Sequence, residues 1–337
     1  MSEQTKTMRP PARGTAERGM AAVRRMASDS PARPVFIALA VVAIVGWFLV
    51  EAKGGQLLSQ DNVVGIQQRS AALGIVAVGQ TLAILAGSLD LSVAFLISLT
   101  SLVAAETMAR HGTLAGIGAV LVVSAVVGLV NGLVITKLRV HAFIATLGVA
   151  LIIRGVLDDR YDGPAGSVPQ SFQRLGYDRI GPVPVSALLW AGIAVAAWFV
   201  LRRTTLGYRI YAVGGDPDVA RLSGVRTDRI VIVTHVLCSL CAGAAGLLLA
   251  ARLGAGAPTV GTDGGYDLES IAAVVLGGTA LAGGRGGVAG TVGGVLVLAV
   301  LDSIFNQLEV NSFAKNVVRG VVIIAALAIY ARGRRSR

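Results

Sequence analysis

The chain has two cysteines, three histidines and 5% aromatic residues in 337 positions, and only 15% of it is charged. Each scarcity closes a class of function. Two cysteines cannot staple a secreted disulfide scaffold. Few aromatics, none interleaved with a basic patch, exclude a nucleic-acid surface. No Gly-x-Ser-x-Gly, His-Glu-x-x-His or paired-carboxylate pattern occurs, so hydrolytic chemistry lacks both a nucleophile with its base and a metal cradle. The nearest approach to a phosphate-binding loop starts at Gly278 and reaches Gly283. Gly284 and Arg285 then stand where Lys and Ser or Thr are needed to reach phosphates and magnesium, so the chain is not expected to hydrolyse ATP by itself. His235, Cys238 and Cys241 share one helix face at metal-ligand spacing. Without a fourth ligand they read as small buried packing residues, and no metal or cofactor is expected.

Apolar residues and glycine are abundant. The chain is 54% hydrophobic with 43 glycines and a mean hydropathy of +0.71, which defines an all-α, polytopic transmembrane bundle. Runs of bilayer length, roughly 17–25 residues, occupy about 34–50, 71–87, 90–108, 114–136, 142–157, 183–201, 230–251, 269–283, 287–306 and 314–331. That makes about ten spans, the fifth and eighth being short. Residues 1–33 carry net +4, a polar island at 202–229 net +3, and the tail from Arg332 net +4, together the whole formal charge of +11. Cytoplasmic loops concentrate Lys and Arg. Six spans before the island and four after it place all three basic segments, and both termini, in the cytoplasm. Residues 1–33 are expected to form a disordered basic tail rather than a transit or signal peptide, and 34–337 the transmembrane domain.

Polar residues interrupt the apolar runs at two places. Around Ser88, Asp90 and Ser92, glycine can end one helix and Asp90 can cap the next. From Gly277, Gly278 and Thr279 to Gly287 a second glycine-rich break follows, and Leu85-Ala-Gly-Ser resembles Leu276-Gly-Gly-Thr as a duplicated feature would. Two such breaks suggest discontinuous helices beside a translocation path; tight turns at the membrane surface explain them equally well. Gln80 and Asn131 either bond across helices or touch a polar solute. Small residues repeat every four positions at Gly286, Gly290 and Gly294, at Gly128 and Gly132, and at Ala242, Gly246 and Ala250, the pattern of close helix contacts. Within the island, Asp216 before Pro217 and Gly224 seven residues on predict a short capped helix.

In chain order, GQTLAILAGSLDLS (79–92), NGLVITKLRV (131–140), FIATLG (143–148), TLGYRIYAVGG (205–215), ARLSG (220–224), IAAVVLGGT (271–279) and GGRG (283–286) resemble the permease subunits of bacterial ABC importers for ribose and related monosaccharides. The resemblance runs from about Gly79 to the C-terminus. It implies a non-catalytic, multi-pass subunit of the inner membrane that pairs with a second copy of itself. Such a subunit accepts a sugar from an extracytoplasmic binding protein and is driven by a separate ABC ATPase. Gly214, Gly215, Asp216, Asp218, Ala220, Arg221, Leu222, Ser223 and Gly224 would form the ATPase-coupling loop. Gln80, Ser88, Asp90, Ser92, Asn131, Gly277, Gly278 and Thr279 would border the path. Departures from the family wording occur at Ala94, at His141 and Ala142, and at Asp218 and Val219. The outer segment 158–183 carries no sugar-binding signature and reads as a docking surface. Permeases for branched-chain amino acids or nucleosides remain the alternative, and an ion-coupled secondary transporter a more distant one.

Overall fold

The computed structural model describes residues 32–311 together with 314, 315, 317, 320 and 321. The basic tail up to residue 31, most of the tenth apolar run and the terminal arginines lie outside the described residues. Helices α1 (Arg33–Glu51), α2 (Gln60–Leu85), α3 (Val93–His111), α4 (Thr113–Lys137) and α5 (Ala142–Arg160) come first. A short α6 (Gln170–Tyr177) leads into an antiparallel hairpin of β1 (Arg179–Ile180) and β2 (Val183–Pro184), Arg179 facing Pro184. Then come α7 (Val185–Arg203), the island helices α8 (Thr205–Gly215) and α9 (Pro217–Leu222), and α10 (Thr227–Leu253). The described order closes with α11 (Val260–Asp263), α12 (Tyr266–Leu276) and α13 (Val288–Gln307).

Seven of these helices, α1, α2, α3, α4, α7, α10 and α13, are long and apolar enough to cross a membrane. The fifth run forms a helix of 19 residues, but Arg154, Asp158, Asp159 and Arg160 crowd its last turns. The eighth run gives only the 11 residues of α12, roughly 16 Å at about 1.5 Å per residue, before a glycine turn reverses the chain into α13. The second run starts well before the expected residue 71. Ser59 caps α2 by accepting the Asn62 N–H, and Asn62 in turn accepts the Ser303 hydroxyl of α13 at 2.8 Å. That long-range bond supports a polar first turn which an apolar window passes over.

Helix α2 forms the centre, with 89% of its most apolar window buried, whereas the corresponding windows of α1 and α4 are only 17% and 22% buried. Outward apolar faces of that kind suit lipid. Helix α10 packs on α2, α3 and α4. Gly128 and Gly132 let α4 approach the backbone of α10 at His235, Val236 and Ile232, and Gly290 and Gly294 let α13 approach Gly277 and Ala273 of α12. These are the close contacts the small-residue repeats predict. Gly286 is an exception: it sits in the turn before α13 at φ +124° against Thr279, so it serves the break and not a helix face.

Candidate functional site

Helix α2 ends at Leu85 and α12 at Leu276, and the chain leaves both in the same way. Gly87 (φ +79°) donates to Ile84 O and Ser88 N to Ala83 O at 3.0 Å. Gly278 (φ +84°) donates to Val275 O and Thr279 N to Val274 O at 3.2 Å. Each is a Schellman-type stop, in which a left-handed residue lets the chain recapture the last free carbonyls. Each delivers a hydroxyl just beyond it. Ser88 Oγ lies 2.7 Å from His235 Nε2, and Thr279 Oγ1 accepts the Gly287 N–H at 3.2 Å.

Past the first stop, Asp90 is fully buried. It is not the cap of α3, whose first turn has no side-chain cap. Its Oδ1 instead accepts the Ser92 N–H at 2.9 Å and the Ser92 hydroxyl at 2.5 Å, a local turn just ahead of the helix. Asn131 Nδ2 of α4 donates to both carboxylate oxygens at 3.3 and 3.4 Å and to Ser92 Oγ at 2.9 Å. His235 of α10 brings Nδ1 to 3.4 Å from Oδ2. Gln80 of α2 donates Nε2 to the Asp90 carbonyl at 3.3 Å and accepts from Cys238 Sγ at 3.3 Å. The Asp90 carboxylate thus ties two helices, α4 and α10, to the break, and its backbone carbonyl adds α2. An ionised carboxyl only accepts, so Nδ1 carries the imidazole proton toward Asp90. In the neutral ring, Nε2 then accepts the Ser88 O–H.

Sequence reasoning found Gln80, Ser88, Asp90, Ser92 and Asn131 and missed His235, which it assigned to packing with the two cysteines. An imidazole within an uninterrupted apolar helix is costly unless paired, and Asp90 poses the same problem; two isolated ionisable residues in apolar surroundings were the available signal. Among the described residues no cluster of His, Cys, Asp and Glu can hold a metal. The order Ser88, His235, Asp90 matches a hydroxyl, imidazole and carboxylate relay, the nucleophile and base pairing that the sequence did not reveal. The relay is closed: Ser88 is 5% exposed and the other two are fully buried, so an acyl group has no approach.

Gly277, Gly278 and Thr279 do not join this cluster. The two breaks instead meet backbone to backbone: Gly284 N donates to Leu85 O at 3.0 Å, and Gly283 lies against Gly87. Between them sits the end of α8. Gly214 packs on Leu85 O and on Gly284, with no room for a side chain, and Tyr211 donates its hydroxyl to Gly286 O at 2.9 Å. Burial pushes the Tyr211 phenol above its usual range, so it stays a donor at neutral pH. Helix α9 forms as its caps predict. Asp216 Oδ1 accepts the N–H groups of Asp218 and Val219 at 2.9 and 3.0 Å, Pro217 opens the helix, and Gly224 closes it at φ +82°. Ala220 is buried, while Arg221 bonds Thr227 Oγ1 at 3.4 Å and faces Asp218 at 3.8 Å. Leu222, 90% exposed, and Val219 point away from the bundle.

Apolar helices that gather their polar groups at two adjoining breaks, with a charged helical island wedged against both, make a membrane transport subunit. The chain belongs to the family described as branched-chain amino acid transport system / permease component, whose profile matches residues 62–327. It is 41% identical over 275 residues to ribose import permease protein RbsC of Escherichia coli (strain K12), covering 80% of this chain and 85% of that protein. RbsC of Bacillus subtilis (strain 168) is 36% identical over 305 residues, covering 87% and 91%. L-arabinose transport system permease protein AraH of Escherichia coli (strain K12) is 36% identical over 268 residues, covering 79% and 81%. No solved structure matches. The chain is a multi-pass permease subunit of the ABC importer class, without enzymatic activity of its own.

Proposed function

We propose that this permease carries a monosaccharide inward, received from an extracytoplasmic binding protein, through a path formed with a second copy of the chain. A separate ABC ATPase drives it by docking on the island. The observation that carries the coupling is the seat of Gly214 against Leu85 and Gly284, which lets displacement of α8 and α9 act on both helix breaks at once. Exposed Leu222 and Val219 on a charged loop supply the apolar anchors of a docking surface. In this reading Gln80, Ser88, Asp90, Ser92, Asn131, Gly277, Gly278 and Thr279 border the path, and movement of the breaks changes access to it. Six helices of at least 19 residues before the island accord with an N-terminus on the same side as the island, the cytoplasmic one in this reading. The relatives named for ribose and arabinose favour a pentose or similar sugar; the family description keeps branched-chain amino acids in the assay.

The test is gentle extraction of the chain from native membranes, then ATP hydrolysis measured with binding protein loaded with ribose, arabinose, allose or leucine. A co-purifying ATPase stimulated by one loaded sugar is expected. Arg221→Glu or Gly224→Pro is expected to abolish that stimulation while membrane insertion stays normal. Stimulation by leucine alone would replace the sugar. Uptake by the isolated chain driven by an ion gradient, with no ATPase, would mean a secondary transporter in which the Asp90 and His235 pair carries the coupling proton.

A further inference from the structure

Arg209 of α8, Arg226 at the start of α10 and Arg229 in its first turn line one cavity of 280 Å³, together with Gly224 and Ile230. No acid faces into its lining. The island's three acids are used elsewhere: Asp216 caps α9, Asp218 faces Arg221, and Asp228 pairs with Lys137 at 3.0 Å. Among the described residues the guanidinium groups of the three lining arginines have no hydrogen-bond or ion-pair partner. Three solvent-exposed arginines around one concavity raise its positive potential and favour an anion there. Their planar forks match phosphate oxygens. Ile230, at the cavity edge, opens the apolar run of α10, so the cavity lies within one helical turn of the hydrocarbon.

We propose that this cavity binds a phosphate group, supplied in the membrane by the headgroup of an acidic phospholipid. The height of the cavity, level with the start of the apolar run of α10, favours lipid over a soluble phosphate; Ile230 itself is packed in the core, so the headgroup enters the cavity and the acyl chain stays outside it. The cytoplasmic leaflet, where the topology proposed above puts the island, is the anionic one. Gly224 both closes α9 and lines the cavity, so a bound headgroup stiffens the coupling helix from beneath and makes ATPase docking sensitive to membrane composition.

The experiment uses the full chain in neutral detergent. It reads retained lipid by native mass spectrometry and the thermal unfolding midpoint during titration with phosphatidylglycerol, phosphatidylcholine or inorganic phosphate. Selective retention of phosphatidylglycerol with a raised midpoint is expected. In the triple variant R209Q/R226Q/R229Q the affinity should fall roughly 100-fold. R209K/R226K/R229K, which keeps the charge and loses the fork, should fall between. R154Q, which removes an arginine already paired with Asp158, should match the wild type and so excludes a simple loss of charge. Equal retention by wild type and triple variant overturns the proposal. Stabilisation by millimolar inorganic phosphate, with displacement of the lipid, reassigns the cavity to a soluble phosphate and overturns the lipid source. A triple variant that keeps its lipid but loses a co-purifying ATPase makes the arginines a protein-docking surface instead. Lipid retention is read without transport or ATP, so failure of the sugar-import reading leaves this result standing.

Discussion

At the scale of single residues, Asp90 and His235 illustrate what a buried pair contributes. Both side chains are fully buried at 3.4 Å, so neither has water to fall back on. Removing one partner of such a pair usually costs about 3–5 kcal/mol, because the other charge stays buried and uncompensated. His235→Ala should therefore lower stability by about that amount, and it also strands the Ser88 hydroxyl. Asp90→Asn keeps the size and still accepts from Ser92, so it should cost less. In the double variant the orphaned charge is gone, and the loss should fall short of the sum of the singles by about 0.5–3 kcal/mol. Denaturation midpoints of the solubilised chain measure all three. A strictly additive result would mean that the cluster does not act as a unit.

At the scale of elements, the island and the two breaks make one mechanical contact, and adjacent glycines separate its two sides. A methyl group at Gly214 would meet the Leu85 carbonyl, the Gly284 nitrogen and the Leu85 carbonyl carbon, backbone atoms that cannot turn aside. At Gly215 nothing lies within 4 Å. Gly214→Ala should cost about 1–3 kcal/mol as overpacking and prise α8 from both breaks. Gly215→Ala should be neutral or stabilise slightly, since alanine is the better helix former. ATPase stimulation in the assembled importer should be lost in the first and kept in the second; equal loss in both would dissociate the wedge from coupling. Much of this element was legible in sequence. Asp216, Pro217 and Gly224 specify α9 locally, and the likeness of Leu85-Ala-Gly-Ser to Leu276-Gly-Gly-Thr is a likeness of helix stops, down to the left-handed glycine and the hydroxyl after it. The wedge itself was not legible. Gly214 touches residues from two distant breaks, and no local pattern records which carbonyl a glycine will meet. The partner of Asp90 stayed hidden for the same reason, since 145 residues separate it from His235.

At the scale of the whole molecule, α7 measures the membrane. It begins directly after the β1–β2 hairpin and ends at the first residues of the island, just before α8. Its 19 residues extend roughly 28 Å at about 1.5 Å per residue, close to a hydrocarbon core of about 30 Å. Outer segment and island therefore lie on opposite faces, whatever the total number of crossings. In the proposed topology Arg202 and Arg203 at the island end and the net +3 of 202–229 put that end in the cytoplasm. Position 162, an exposed aspartate before α6, then faces outward, and Leu222 faces in. Single cysteines placed at these sites report the arrangement, with Cys238 and Cys241 replaced by alanine to remove background. Asp162→Cys should react with a membrane-impermeant maleimide in intact cells, and Leu222→Cys only after the membrane is opened. Should the bound ATPase shield Leu222→Cys even in opened membranes, dissociating it must restore labelling. Labelling of both sites from outside would break the link between charge and orientation, and with it the placement of the coupling helix on the ATPase side.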